Sequence, residues 1–253
     1  MKLKLFVLFC VVGVISARIS LRSEIGYPPL SSRIVGGTNA TDGQAPYQCS
    51  MQQNGRHFCG CVIVGDQWIL SAAHCLAIGI QGVQILAGTN DVKSGGVRYT
   101  PEKYIIHEKF NQPSFANDIG LIKVNKIYFN EKVQPIKYSS NFVNAGSVLL
   151  ATGWGRLSAW GDAPQLLQVI KLTAISNDEC EAIHGDIVAP SHLCTYTKVG
   201  EGVCSGDSGG PLVLGDEVVG LANWAVLCAL GYPDGFARIS YLYDWIQKNI
   251  ATL

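Results

Sequence analysis

The chain has 253 residues, with 19 Lys and Arg balanced by 19 Asp and Glu for a formal charge of zero. A chain without a basic tract has no electrostatic footprint for nucleic acid, so a nucleic-acid partner is set aside. The leading apolar run is only about half the roughly 20 residues that a membrane-spanning helix needs, and no later stretch is long and apolar enough to replace it, so a membrane partner is set aside as well.

Lys2 and Lys4 precede the uncharged run Leu5 to Ile15, and Ser16-Ala17 supplies small residues for cleavage. This pattern predicts a secretory signal peptide over 1–17 and a secreted, extracellular product. Residues 18–33 are short, basic and Pro- and Ser-containing, end in Arg33, and read as a pro-segment. Removing positions 1–33 takes away five basic residues and one acidic residue, leaving 14 against 18 and a formal charge of −4. Export gives the cysteines meaning, because oxidising compartments allow disulfides. Of nine, Cys10 leaves with the signal and an even set of eight remains. Asn39-Ala40-Thr41 is an N-glycosylation sequon, read equally as a modified site or an unused match.

Short apolar runs follow, among them Val62–Val64, Val83–Leu86, Val148–Ala151, Leu166–Ile170 and Leu212–Leu214, each bounded by Gly, Pro, Asn or Ser. That punctuation predicts a mostly β chain, with a crossover between two halves near 138–148. Tyr47 to Val64 reads as a hairpin turning at Asn54-Gly55-Arg56, which places Cys49 opposite Cys61. A disulfide across the hairpin and two buried thiols are both open there, and the Cys59-Gly60-Cys61 spacing is not read as a metal site. Only the C-terminus reads clearly as helix, where Leu242, Trp245, Ile246 and Ile250 share one face.

Three segments carry chemistry. In Gly206-Asp207-Ser208-Gly209-Gly210-Pro211, small residues surround one hydroxyl, so neighbouring N–H groups can converge beside it. His74 lies in Leu70-Ser71-Ala72-Ala73-His74-Cys75, where small residues leave room for the imidazole. Asp118 sits at the edge of the apolar run Ile119 to Ile122, where a buried carboxylate needs a partner such as an imidazole N–H.

Together with Ile34-Val35-Gly36-Gly37, these motifs resemble, in content and order, the landmarks of the trypsin/chymotrypsin family of serine endopeptidases, and the likeness runs from Ile34 to Leu253. The resemblance implies an all-β fold of two six-stranded antiparallel barrels with the active site in the cleft between them and a C-terminal helix. It implies Ser208 as nucleophile, His74 as general base and then acid, and Asp118 as the orienting carboxylate; these roles are the worked template for the family. The backbone N–H groups of Gly206 and Ser208 would form the oxyanion hole. Cleavage after Arg33 would free the Ile34 α-amino group to pair with Asp207, and activity would fall in alkali as that amine loses its proton near pH 8. The implied disulfides are Cys59 with Cys75, Cys180 with Cys194, and Cys204 with Cys228. No cofactor is implied, and no metal, since Gly88-Thr89-Asn90-Asp91 lacks the glutamates of a calcium loop.

The resemblance also frames the specificity pocket. Gly202 stands where trypsins carry an aspartate, and Asp234 stands at a position that is commonly glycine. This combination resembles certain arthropod digestive proteases, both chymotrypsin-like and broadly collagenolytic. Asn223-Trp224-Ala225 replaces the usual Ser-Trp-Gly, so Ala225 narrows the mouth, Val203 adds apolar lining, and the Asn223 amide takes the place of a serine that bonds the triad carboxylate. Large apolar residues, basic residues, or small elastase-like residues could each be preferred, depending on where the Asp234 carboxylate points. The reading adopted is a chymotrypsin-like digestive zymogen, a monomer whose expected partners are protein and peptide substrates, an activating trypsin-like protease and protein inhibitors. A protease-like binding module without activity is the alternative from another class, and the retained His74, Asp118, Ser208, Arg33 and Ile34 speak against it.

Overall fold

The computed structural model describes residues 34–252, so the expected signal peptide and pro-segment, Arg33 included, lie outside the described residues. After the short strand β1 (Thr38–Asn39), the first half is built from β2 (Gln48–Gln53), β3 (Arg56–Ile63), β4 (Trp68–Ser71), β5 (Val83–Ala87), β6 (Val97–Tyr99), β7 (Pro101–Ile106) and β8 (Gly120–Val124). Their order in the sheet is β6-β5-β2-β3-β4-β8-β7. The two edge strands are successive pieces of chain flanking Thr100, so the sheet curls until one bent strand serves both edges. Pro101 suits that bend because it has no N–H to give to a ladder.

The second half contains β9 (Lys137–Tyr138), β10 (Val148–Gly153), β11 (Gln168–Ile175), β12 (His192–Thr195), β13 (Pro211–Leu214), β14 (Glu217–Trp224) and β15 (Asp234–Arg238). Six of these run β11-β10-β13-β14-β15-β12, and β12 pairs back with β11 to close a barrel. β1 and β9 add to its outside, β9 in parallel with β14. The architecture is therefore the expected double β-barrel, with the first barrel counted as seven segments because of its bend.

Each barrel fills itself. Met51, Ile63, Ile85 and Ile122 belong to the buried cluster of the first, and Leu149, Leu172, Leu212 and Phe236 to that of the second. A third cluster joins them: Val62, Leu70 and Leu121 from the first half meet Val213, Val218 and Leu221 from the second. The C-terminal helix α3 (Ile239–Thr252) adds Ile239, Leu242 and Ile246 to this seam, on the face that the sequence predicts. Burying such a side chain contributes about 2 kcal/mol, so the seam fixes how the two barrels meet.

One helix was not legible by apolar spacing. α2 (Asn177–His184) buries only Cys180, but it opens with a capping box in which Ser176 Oγ accepts from Glu179 N–H and Glu179 Oε2 accepts from Ser176 N–H. That exchange satisfies two otherwise unpaired donors at the helix start.

Candidate active site

The base is set by a short turn. β4 ends at Ser71, Ala72 is extended, and the single helical turn α1 (Ala73–Leu76) follows, tied to β3 by the Cys59–Cys75 disulfide. His74 on this turn keeps 21% of its side chain exposed. Asp118, fully buried at the start of the approach to β8, holds it at two points. Asp118 Oδ1 accepts the His74 backbone N–H at 2.8 Å, and Oδ2 accepts Nδ1–H at 2.6 Å. With its proton on Nδ1, the imidazole leaves Nε2 as an acceptor.

The chain just before Asp118 is unusual. Phe115 and Asn117 have φ of +54° and +55°, a left-handed conformation that costs a non-glycine residue about 1–2 kcal/mol. Such residues persist where their surroundings over-determine them. The Phe115 carbonyl accepts Asn223 Nδ2–H and His192 Nε2–H, each at 3.0 Å, and Asn117 donates its N–H to Ser191 Oγ and its side-chain Nδ2–H to the Lys109 carbonyl, again at 3.0 Å. This corrects one expectation. The Asn223 amide donates to the Phe115 carbonyl and not to the Asp118 carboxylate, whose bonds go to His74.

The serine turn is braced from both barrels. The Ser208 carbonyl accepts Gly60 N–H from β3 at 2.8 Å, while Gly209 N–H donates to the Ala222 carbonyl of β14 at 2.7 Å. Gly209 has φ +76°, and a Cβ there would collide with Ser71 Oγ and the Gly60 carbonyl, so only glycine lets the turn sit this close to the first barrel. His57, which the sequence gave no reason to single out, donates from Nε2 to the Gly206 carbonyl at 2.9 Å and accepts Ser50 Oγ–H on Nδ1 at 2.8 Å. Burial lowers the His57 pKa to about 4, against a smaller opposing effect of the Gly206 carbonyl, so the ring is neutral at physiological pH.

Asp207, beside the serine, is buried. Its carboxylate accepts Gly155 N–H at 2.7 Å and Cys204 N–H at 2.9 Å, and burial raises its pKa to about 6 despite both bonds. Ile34 is buried in the core of the second barrel, and the adjoining Val35 carbonyl accepts Gly202 N–H at 3.1 Å. The Ile34–Val35 segment is thus bonded directly to Gly202.

His74, Phe115, Val203, Ser208, Asn223, Trp224 and Ala225 line one cleft of about 340 Å³. Gly202 and Asp234 stand behind that surface. Asp234 is 3% exposed, its Oδ2 accepts Val203 N–H at 2.8 Å, and its Oδ1 is buried with no partner among the described residues. Burial, outweighing the Val203 bond, raises its pKa to about 8, with a smaller push from the Asp207 charge. A Cβ on Gly202 would lie 2.5 Å from Asp234 Oδ2, so the two positions compete for one space.

Disulfides join the three pairs that the resemblance implies, and a fourth joins Cys49 to Cys61, which face each other in the β2–β3 register. Cys59 and Cys61 therefore enter two different disulfides. Asn39 is exposed on β1, with its Oδ1 accepting Gln168 Nε2–H at 2.9 Å. Among the described residues, no helix is long and apolar enough to cross a membrane.

Two antiparallel barrels meeting along a cleft that gathers a histidine, its carboxylate and a serine make the architecture of a double-barrel serine endopeptidase. Residues 34–246 match the family described as Trypsin. The chain is 41% identical to "Chymotrypsin-2" of Vespa crabro over 85% of its own length and 99% of that protein's. It is 38% identical to "Trypsin II-P29" of Gallus gallus, covering 87% of this chain and 90% of the relative. It is 34% identical to "Trypsin delta" of Drosophila melanogaster, covering 88% and 90%. The chain belongs to the trypsin family and is a serine endopeptidase.

Proposed function

We propose that Ser208, His74 and Asp118 form the catalytic triad and that the enzyme is a secreted zymogen of chymotrypsin-like, digestive specificity. The observation that carries the triad is the two-point hold of Asp118 on His74 across the cleft from Ser208. Ser208 Oγ attacks the scissile carbonyl carbon while His74 Nε2 takes the hydroxyl proton. The resulting oxyanion is met by the N–H groups of Gly206 and Ser208, in a turn whose Gly206 carbonyl is tied back by His57. His74 then passes the proton to the leaving amine as the C–N bond breaks, and water attacks the acyl-enzyme by the same route in reverse. Asp118 holds the ring in place and stabilises the imidazolium.

The preference for a large apolar residue before the cut rests on Asp234. Its carboxyl lies behind Val203 and bonds that residue's backbone, so the cleft wall is formed by Val203, Ala222, Trp224 and Ala225. A second reading, acceptance of basic side chains, is favoured by the unpartnered Asp234 Oδ1. Activation by a trypsin-like protease cutting after Arg33 fits a buried Asp207 that has two N–H donors and, among the described residues, no cationic partner. The Ser208→Ala protein, cleaved after Arg33, should give no acyl burst with an active-site ester and no hydrolysis of Phe-, Leu-, Lys- or Ala-containing peptides. Persisting hydrolysis would refute the triad. With Ser208 in place, the same peptide panel should rank Phe and Leu above Lys and Ala, and a ranking led by Lys would overturn the specificity.

A further inference from the structure

The two barrels share one backbone carbonyl next to the triad. His192 on β12 is wholly buried, and its Nδ1 accepts Ala189 N–H at 3.0 Å. That bond fixes the tautomer, leaving the proton on Nε2, which donates to the Phe115 carbonyl. Asn223 on β14 donates to the same oxygen, so both acceptor sites of this carbonyl are taken by the second barrel. Ser191, beside His192, takes the Asn117 N–H. The Phe115–Asn117 segment belongs to the first barrel, between β7 and β8, and enters Asp118 through two left-handed residues. The Phe115 ring meets His74 edge-on with centroids 5.5 Å apart and lines the cleft.

We propose that His192 is a positioning residue: with Asn223 it pins the Phe115 carbonyl, so that the second barrel sets where Asp118 and the Phe115 ring hold the His74 imidazole. The left-handed backbone at Phe115 and Asn117 explains why a pin is needed, since a segment held against its own preference relaxes when its donors are removed. It also explains why Asn223 tolerates a buried Oδ1 without a partner: its Nδ2–H serves this carbonyl. Arg238 steadies the pin from behind by donating Nε–H to the His192 carbonyl at 2.9 Å. A histidine that merely filled a core would not need its tautomer set to aim a proton across the barrel seam.

The inference rests on the triad reading, and the tests separate the two. In the mature enzyme, His192→Met should lower kcat for an amide substrate roughly five- to tenfold, the worth of one buried hydrogen bond, with KM changed less than about twofold. The downfield proton resonance of the His74 Nδ1–Asp118 bond should shift or broaden. His192→Gln, whose amide can still donate to Phe115, should restore most of the rate and the resonance. Asn223→Ala, which leaves the His192 packing intact, should lower kcat in the same way and serves if His192→Met does not fold. Unchanged kcat and an unmoved resonance in the Asn223 and His192 variants would overturn the proposal, as would equal losses in His192→Gln and His192→Met. Hydrolysis by Ser208→Ala would instead overturn the triad itself.

Discussion

Asp234→Asn tests the pocket most directly, because it removes a charge while keeping a shape. In the folded protein burial raises the Asp234 pKa from 3.8 to about 8, so the carboxyl retains a proton that an unfolded chain gives up above pH 3.8. Unfolding therefore releases a proton across that window. Stability from this group is fully present below pH 3.8 and is lost as pH rises through about 8. A displacement of about four units, at about 1.4 kcal/mol each, sets a ceiling of roughly 6 kcal/mol by pH 8 and about 3 kcal/mol by pH 6. Asparagine can still accept the Val203 N–H on Oδ1, and it is neutral at every pH. Urea unfolding of the uncleaved Ser208→Ala chain, with and without Asp234→Asn, excludes self-digestion from the measurement. The advantage of Asp234→Asn should be near zero at pH 4 and grow steadily to pH 8. A difference that does not change with pH would refute the buried-carboxyl account, and with it the argument for a neutral pocket wall.

Three further outcomes follow from named contacts. Gly202→Asp alone should unfold at a lower temperature than the parent and gain no activity toward lysine substrates, since its Cβ would press on Asp234 Oδ2; Gly202→Asp with Asp234→Gly clears that space and should cleave after Lys and Arg in a peptide panel. Folding holds the His57 pKa at about 4 instead of 6.5, so the unfolded chain binds a proton that the folded one refuses and stability falls as pH drops from 6.5 through 4; His57→Gln should flatten that acid slope, whose ceiling is about 3 kcal/mol, in denaturant titrations at pH 7 and 4. Ser176→Ala removes the cap of α2 and should lower stability by about 1 kcal/mol in urea titrations while leaving kcat/KM unchanged.

What was legible in the sequence and what was not divides along chain distance. The proposed triad residues His74, Asp118 and Ser208 each sit in a local run of small or apolar residues that draws attention to them, and Cys49 and Cys61 face each other by counting out from the Gly55 turn. The Ser176-Asn177-Asp178-Glu179 box was also written locally, but α2 has a single buried residue and so carries no apolar stripe to draw attention to it. His57 and His192 are different. Their acceptors lie 149 and 77 residues away, on the Gly206 and Phe115 carbonyls, and a backbone acceptor has no signature in its own residue type. Asn223 misled for the same reason: its position suggested the carboxylate of Asp118, whereas a carbonyl 108 residues distant offered the better fit to a longer amide. Residues that react must have the right side chain and can be read; residues that hold the reacting ones need only a donor in the right place, and that place exists only once the barrels have met.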